Sequence, residues 1–231
     1  MNLGVVVVAA GSGVRLGAGS AKALVRVAGR CLVDHAVSRL AQAGLPPPVV
    51  VHPAGAEAQF RRAVADPVAG WVNGGDQRRD SVRAGTAALP ADVDVVVIHD
   101  AARAFTPVGV IREAVTAVTA APGVLAAAPA TPVVDTLKRV SSTGEVTTVD
   151  RTGVYAVQTP QVLTRPALEA SLAAVTAGTD ELEAVERLVA AGELDGSIVL
   201  VAGSELARKV TYPHDLEVLT AILAGARSGE R

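Results

Sequence analysis

Residues 3–17 read Leu3-Gly4-Val5-Val6-Val7-Val8-Ala9-Ala10-Gly11-Ser12-Gly13-Val14-Arg15-Leu16-Gly17. An apolar run over 3–10 with no polar alternation marks a strand buried on both faces, as in a parallel sheet covered by helices. Glycine at 11 and 13 ends the run and lets the backbone come close to a ligand, so that main-chain N–H groups can surround phosphate oxygens. Arg15, and Lys22 five residues past the loop, add positive charge. The loop is a poor dinucleotide fingerprint, because G-x-G-x-x-G needs glycine where Leu16 stands. No Gly-Lys-Ser/Thr follows at the spacing of a Walker A loop.

Outward from this strand, apolar runs alternate with helical periodicity, which predicts a mostly parallel sheet with helices on both faces. Leu32, Val33, Ala36, Val37, Leu40 and Ala41 share one helical face, stopped by Gly44. Strands are predicted at 48–52, 71–72, 94–99, 124–128 and 197–201, and helices near 56–65, 81–89, 165–177 and 180–191. Asp180 and Glu183 form a capping-box-like start for the last of these. Thr106 followed by Pro107 predicts a capped helix running to Ala120, and a final helix begins at Pro213. Between them, 133–157 is alternating and β-like, with a Ser141-Ser142-Thr143-Gly144 turn and no long helix between its arms. It reads as a projecting hairpin within a single domain spanning 1–231.

At 231 residues, half of them hydrophobic, the chain can bury a sizeable core. Its net charge of −2 argues against a general nucleic-acid binder, so an anionic ligand must be met by local basic clusters. Cys31 is the one cysteine, which excludes an internal disulfide and favours a reducing, cytoplasmic setting. The opening apolar run has no basic leader and falls far short of the ~20 residues of a membrane span, so no membrane association is expected.

Several further groups carry chemistry. Gly74-Gly75-Asp76-Gln77-Arg78-Arg79-Asp80-Ser81 offers paired glycines and polar side chains just before a helix, suited to reading a base edge. Strand 94–99 ends in His99-Asp100-Ala101-Ala102-Arg103, at the strand end where open α/β sheets bind ligands. Asp100 is a candidate Mg²⁺ ligand, since that ion takes one or two carboxylates plus nucleotide phosphates. His99 has no evident partner and reads as structural. The hairpin carries Asp135-Thr136-Leu137-Lys138 and Asp150-Arg151; Thr159-Pro160-Gln161 and Arg208-Lys209-Val210-Thr211 follow.

Taken in order, AAGSGVRLG with Lys22, GGDQRRDSV, HDAAR, DTLK, DR, TPQ and KVT resemble the 2-C-methyl-D-erythritol 4-phosphate cytidylyltransferase family over nearly the whole chain. The resemblance implies a Rossmann-like α/β fold, a dimerisation arm and homodimer, CTP and a small sugar-alcohol phosphate as substrates, Mg²⁺, and a place in non-mevalonate isoprenoid synthesis. Carried over motif by motif, Ala9, Ala10, Gly11, Ser12, Gly13, Gly75, Asp76 and Ser81 would hold the nucleotide. Arg15 and Lys22 would stabilise the transition state, and Arg151 and Lys209 would position the attacking phosphate. Asp100, Arg103, Thr136 and Thr159 would lie around the metal and the second substrate.

The chain departs from the family pattern at Ala21, Ala104 and Ala207, and 179–183 matches its acidic helix start only in part, so Thr179 and Asp180 are left outside the site. A phosphate monoester, largely dianionic at neutral pH, needs no general base, which suits a chain without an evident catalytic histidine or cysteine. Two alternatives stay open here: a pentitol phosphate such as ribitol 5-phosphate as the acceptor, or a nucleotide-binding regulator without catalysis.

Overall fold

The computed structural model describes residues 1–11, 13, 21–174 and 180–228. In chain order, β1 (Leu3–Val8) is followed by a small hairpin, β2 (Arg26–Val27) and β3 (Arg30–Cys31), then α1 (Leu32–Gln42) and β4 (Val49–His52). Next come α2 (Glu57–Ala63), β5 (Gly70–Asn73), α3 (Arg78–Ala87), β6 (Val95–Asp100), α4 (Val108–Thr119) and β7 (Val124–Pro132). A second hairpin, β8 (Leu137–Val140) and β9 (Val146–Val149), leads to β10 (Tyr155–Val157) and β11 (Gln161–Thr164). The chain closes with α5 (Arg165–Ala173), α6 (Glu181–Ala190), β12 (Ser197–Ala202) and α7 (Pro213–Ser228).

β1 sits inside the main sheet, with β4 on one side and β6 on the other, both parallel to it, and β5 beyond β4. Because the chain leaves β1 first to one side and later returns on the other, a crevice opens at the carboxyl ends of β1 and β6. The valine run explains why β1 is central. Val5 and Val7 pack into one cluster with Val33 and Val37 of α1 and Ile111 of α4. Val6 packs into the opposite cluster with Val82 of α3, Leu168 of α5 and Val185 of α6. Side chains alternate across a strand, so a run apolar at every position serves two helical layers at once.

The sheet is less parallel than the sequence pattern predicts at one place. β11 lies between β6 and β7 and runs antiparallel to both, a strand the periodicity did not reveal. β10 continues along the same edge of β7, with Val157 opposite Ala130 whereas Val162 stands opposite Ala127. Five residues on one side thus face three on the other, and the slack, 158–160, turns toward the end of β6. The fold is otherwise the expected one, a mostly parallel sheet between helical layers.

Two local expectations change. Thr106 does not cap α4: its hydroxyl donates to Arg103 O at 2.9 Å, closing the turn after β6, and Pro107 takes the N-cap position. α3 starts at Arg78, three residues before the predicted position, which brings Arg78 into the crevice. The Asp180 cap forms as expected, its side chain accepting from Glu183 N at 3.0 Å. Of the expected hairpin over 133–157, only Leu137–Val140 and Val146–Val149 form a two-stranded sheet of their own, with Val134, Val140 and Val146 exposed, while Tyr155–Val157 pairs with β7 in the main sheet.

Candidate active site

The crevice is lined by the end of β1 and its loop (Val8 to Gly11), Lys22, residues 75–78 and Ser81, Asp100 to Ala102, and Lys209. At the glycine loop, Lys22 N donates to Gly11 O at 3.3 Å, and Gly13 adopts a positive φ of 68° beside Lys22. That bond keeps the lysine beside the strand end. The second loop docks on the first. A Cβ at Gly74 would stand 2.4 Å from Ala10 Cβ and 2.8 Å from Ser81 Oγ, a contact only glycine permits. Of the expected nucleotide contacts, Ala9, Ala10, Gly11, Gly75, Asp76 and Ser81 all line this crevice. Ser12 and Arg15 lie outside the described residues, and Gly13 sits against Lys22.

Asp100 is the electrostatic centre. Its Oδ2 is 2.8 Å from Lys209 Nζ and its Oδ1 is 3.2 Å from Arg78 Nε. Arg78 Nη1 in turn lies 2.5 Å from Glu181 Oε2 at the start of α6. Burial alone would raise the Asp100 pKa, but Arg78, Lys209 and Arg103 beside it hold the carboxyl well below the usual carboxylate range. Burial likewise opposes the charge on Arg78, and Asp100 and Glu181 outweigh it, so this guanidinium stays charged. Arg78 and Glu181 are the members of the site that motif reading missed. Their only local trace was Arg78 in the second loop and an acidic helix start at 180–183.

His99 and Thr159 buttress Asp100 from behind. Thr159 Oγ1 accepts from Asp100 N at 3.1 Å, so its hydroxyl hydrogen is free to point at His99 Nδ1, also 3.1 Å away. Burial pushes the His99 pKa down to about 4, against the pull of Asp100, and the ring is neutral at pH 7. It is a structural histidine, as the sequence indicated. Thr159 is therefore placed beneath the crevice rather than in it.

Arg103 is also behind the wall. It donates to Ala207 O at 2.7 Å and to Val157 O at 3.2 Å, tying the end of β10 to the segment before α7. Arg151 and Thr136 are exposed on the hairpin and outside the crevice of their own chain. The Arg151 guanidinium donates to the Val134 carbonyl and, at 3.3 Å, to Val133 O, which braces the hairpin's base.

The segment that delivers Lys209 is secured at its far end by Asp215. One carboxylate oxygen accepts from both Thr211 N and Tyr212 N at 2.8 Å. Burial opposes ionisation of Asp215, but these two N–H groups, with His214 and Arg208 nearby, lower its pKa in the folded state. A depressed folded pKa gives stability that is present above the unfolded value, about 3.9, and disappears as pH falls through the folded value. Asp215→Asn is thus expected to lower the urea midpoint at pH 7 and to approach wild type as pH drops below about 4. A difference between the two proteins that stays constant from about pH 7 to pH 3 would count against this role.

Three comparisons bear on this site. A family model described as IspD, 2-C-methyl-D-erythritol 4-phosphate cytidylyltransferase, matches residues 3–225. The 2-C-methyl-D-erythritol 4-phosphate cytidylyltransferase of Saccharopolyspora erythraea is 41% identical, over 97% of this chain and 100% of its own. A "Bifunctional enzyme IspD/IspF" of Clavibacter michiganensis is 44% identical over 98% of this chain, which spans 56% of that relative's length. In fold, the crystal structure of 4-diphosphocytidyl-2C-methyl-D-erythritol synthase from Anaerococcus prevotii superimposes with a TM-score of 0.82, covering 96% of each chain at 22% identity.

Proposed function

This chain belongs to the 2-C-methyl-D-erythritol 4-phosphate cytidylyltransferase family, and from that premise and the crevice chemistry we infer that it joins CTP to 2-C-methyl-D-erythritol 4-phosphate. The observation that carries the reading is the convergence of Gly11, Lys22, Gly75, Ser81, Asp100 and Lys209 on one crevice, from separate segments of chain. An oxygen of the sugar-alcohol phosphate attacks the α-phosphorus of CTP, the bond from that phosphorus to the β-phosphate oxygen breaks, and pyrophosphate leaves. No proton need move, which agrees with a neutral, buried His99. The task left to the protein is to bring two anions together and stabilise charge during in-line displacement.

Loop amides around Gly11 and the Lys22 ammonium meet the triphosphate in this reading, while Gly75, Asp76 and Ser81 meet the base. Lys209, 44% exposed at its side chain although paired to Asp100, can leave the carboxylate to meet the incoming phosphate. Magnesium fits Asp100: the carboxylate is ionised at the crevice wall, and the ion takes few protein carboxylates when nucleotide phosphates fill its other positions. The described residues hold no group of three His, Cys, Asp or Glu side chains that would cage a metal unaided. Bound there, the ion would offset phosphate charge.

The working unit in this proposal is a homodimer in the cytoplasm. Exposed Val134, Val140 and Val146 on the hairpin support an arm that packs on a second copy. The one cysteine is free and buried, and none of the helices among the described residues is long and apolar enough to cross a membrane. The decisive assay is pyrophosphate release from CTP with a panel of polyol phosphates and Mg²⁺. Turnover of 2-C-methyl-D-erythritol 4-phosphate is expected; background release with it alongside clear turnover of ribitol 5-phosphate would overturn the acceptor.

A shared site gives a further expectation. If Arg151 and Thr136 reach the partner's crevice, then mixing inactive Lys22→Ala and Arg151→Ala proteins should restore activity. In such a heterodimer one site collects both lesions and the other neither, so random exchange should return roughly a quarter of wild-type activity. No recovery, with exchange verified independently by mass, would place Arg151 in its own subunit's site or in none.

A further inference from the structure

Between the hairpin's root and the crevice is a contact used by none of the roles above. Gln158, buried just after β10, pairs its carboxamide with the backbone of Ser204 in both directions. Its Nε2 donates to Ser204 O at 2.8 Å, and its Oε1 accepts from Ser204 N at 3.1 Å. A side-chain amide bonded this way stands in for a strand partner, and it seats one end of the segment 203–211 that carries Lys209. The approach is close. A Cβ on Gly203 would fall 2.7 Å from Gln158 Oε1 and 2.8 Å from the Ala130 carbonyl oxygen.

From that seat the geometry runs on toward the crevice. Ser204 Oγ accepts from Leu206 N at 3.2 Å, and Ala207 O accepts from Arg103 at 2.7 Å. Val210 N donates to Ala102 O at 2.9 Å. Lys209, between the last two anchors, reaches Asp100. An ammonium on a flexible four-carbon stem has no geometry of its own, so the backbone that launches it decides where its charge can act.

We propose that Gln158 is a positioning residue for Lys209: it touches no reacting atom and holds the segment 203–211 so that the Lys209 ammonium is delivered to the crevice, resting on Asp100 until a phosphate arrives. The inference rests on the cytidylyltransferase reading, because its kinetic test is read in that reaction. Misplacing a charged group by about 1 Å can cost up to ~10²-fold in rate.

Gln158→Met keeps the side-chain length and removes both hydrogen bonds. It is expected to lower kcat about tenfold with the KM for CTP little changed. In a Lys209→Ala background the same change should matter less than about twofold, because the group it positions is gone. Equal losses in both backgrounds would mean a general structural role and overturn the proposal.

A second readout needs no turnover. The chain has three lysines, Lys22, Lys138 and Lys209, and Lys138 lies on the hairpin, bonded to Thr148 Oγ1 at 2.6 Å. Acylation of Lys209 relative to Lys138, followed by mass spectrometry, should rise several-fold in Gln158→Met as the lysine leaves Asp100. An unchanged ratio would overturn the proposal even if the kinetics shift. A raised ratio in a protein whose wild type releases no pyrophosphate would support the contact and sink the functional reading instead. Should Gln158→Met fail to fold, Gln158→Glu, which keeps the acceptor for Ser204 N, carries both measurements with the same expected directions.

Discussion

Lys22→Ala is expected to lower kcat about 10²-fold or more with the fold intact, the loss measured for removing a donor aimed at transition-state charge. The lysine lines the crevice beside the end of β1, its backbone bonded to Gly11. The substitution removes the side chain beyond Cβ, ammonium included, and the loop closure, made by main-chain atoms, survives. Steady-state kinetics with both substrates varied would check this. If kcat holds and only the KM for CTP rises, Lys22 binds ground state and transition state equally, and the role assigned to it is wrong.

Arg78→Met should have the largest effect on stability. Asp100 is 6% exposed and Glu181 4%, and Arg78 is the cation between them. Removing one member of a buried ionic network leaves uncompensated charge, which costs about 3–5 kcal/mol. Asp100 keeps Lys209, whereas Glu181 loses its ion-pair partner among the described residues, so most of the penalty should fall on Glu181. Adding Glu181→Gln to Arg78→Met is therefore expected to recover a large part of the lost stability in urea titrations. A single-mutant loss under about 1 kcal/mol, the scale of a solvent-exposed pair, would show that water already screens this network.

The same network marks the limit of what the sequence made legible. Arg78 and Asp100 are separated by 22 residues, Arg78 and Glu181 by 103, and Asp100 and Lys209 by 109. Nothing local ties such pairs together. The DQRRDS stretch reads locally as a loop suited to a base edge, and which of its two arginines turns inward depends on α3 starting at Arg78. Arg79, its neighbour, donates instead to the Ser171 carbonyl at 2.7 Å and to that of Ala174, at the end of α5.

Elements with a strong local period were readable, because period and burial are the same fact. The valine run of β1, the apolar stripe of α1 and the Asp180 cap of α6 each satisfy their constraint within a few residues. So did the turn at 141–144, where Gly144 N donates to Ser141 O at 3.0 Å. The motifs at Gly11, Gly75, Asp100 and Lys209 could be recognised one by one for the same reason.

Tertiary structure alone decided the rest. β11 is four residues long, and its antiparallel place between β6 and β7 is specified by hydrogen bonds to strands far away in sequence. Thr106 has the residue type of a cap, yet its hydroxyl turns from α4 to the Arg103 carbonyl, with the Thr159 carbonyl, 53 residues away in sequence, also within 3.5 Å. Arg103 and Thr159, expected around the substrate, face backbone and a buried imidazole instead. By itself the sequence determined the sheet's parallel core, its two helical layers and the chemistry available at the strand ends, since apolar period and short-range capping act over a turn or a strand. Only the assembled fold decided which charges share a crevice and which brace its wall, because a buried charge is settled by whichever partner the rest of the chain brings within reach.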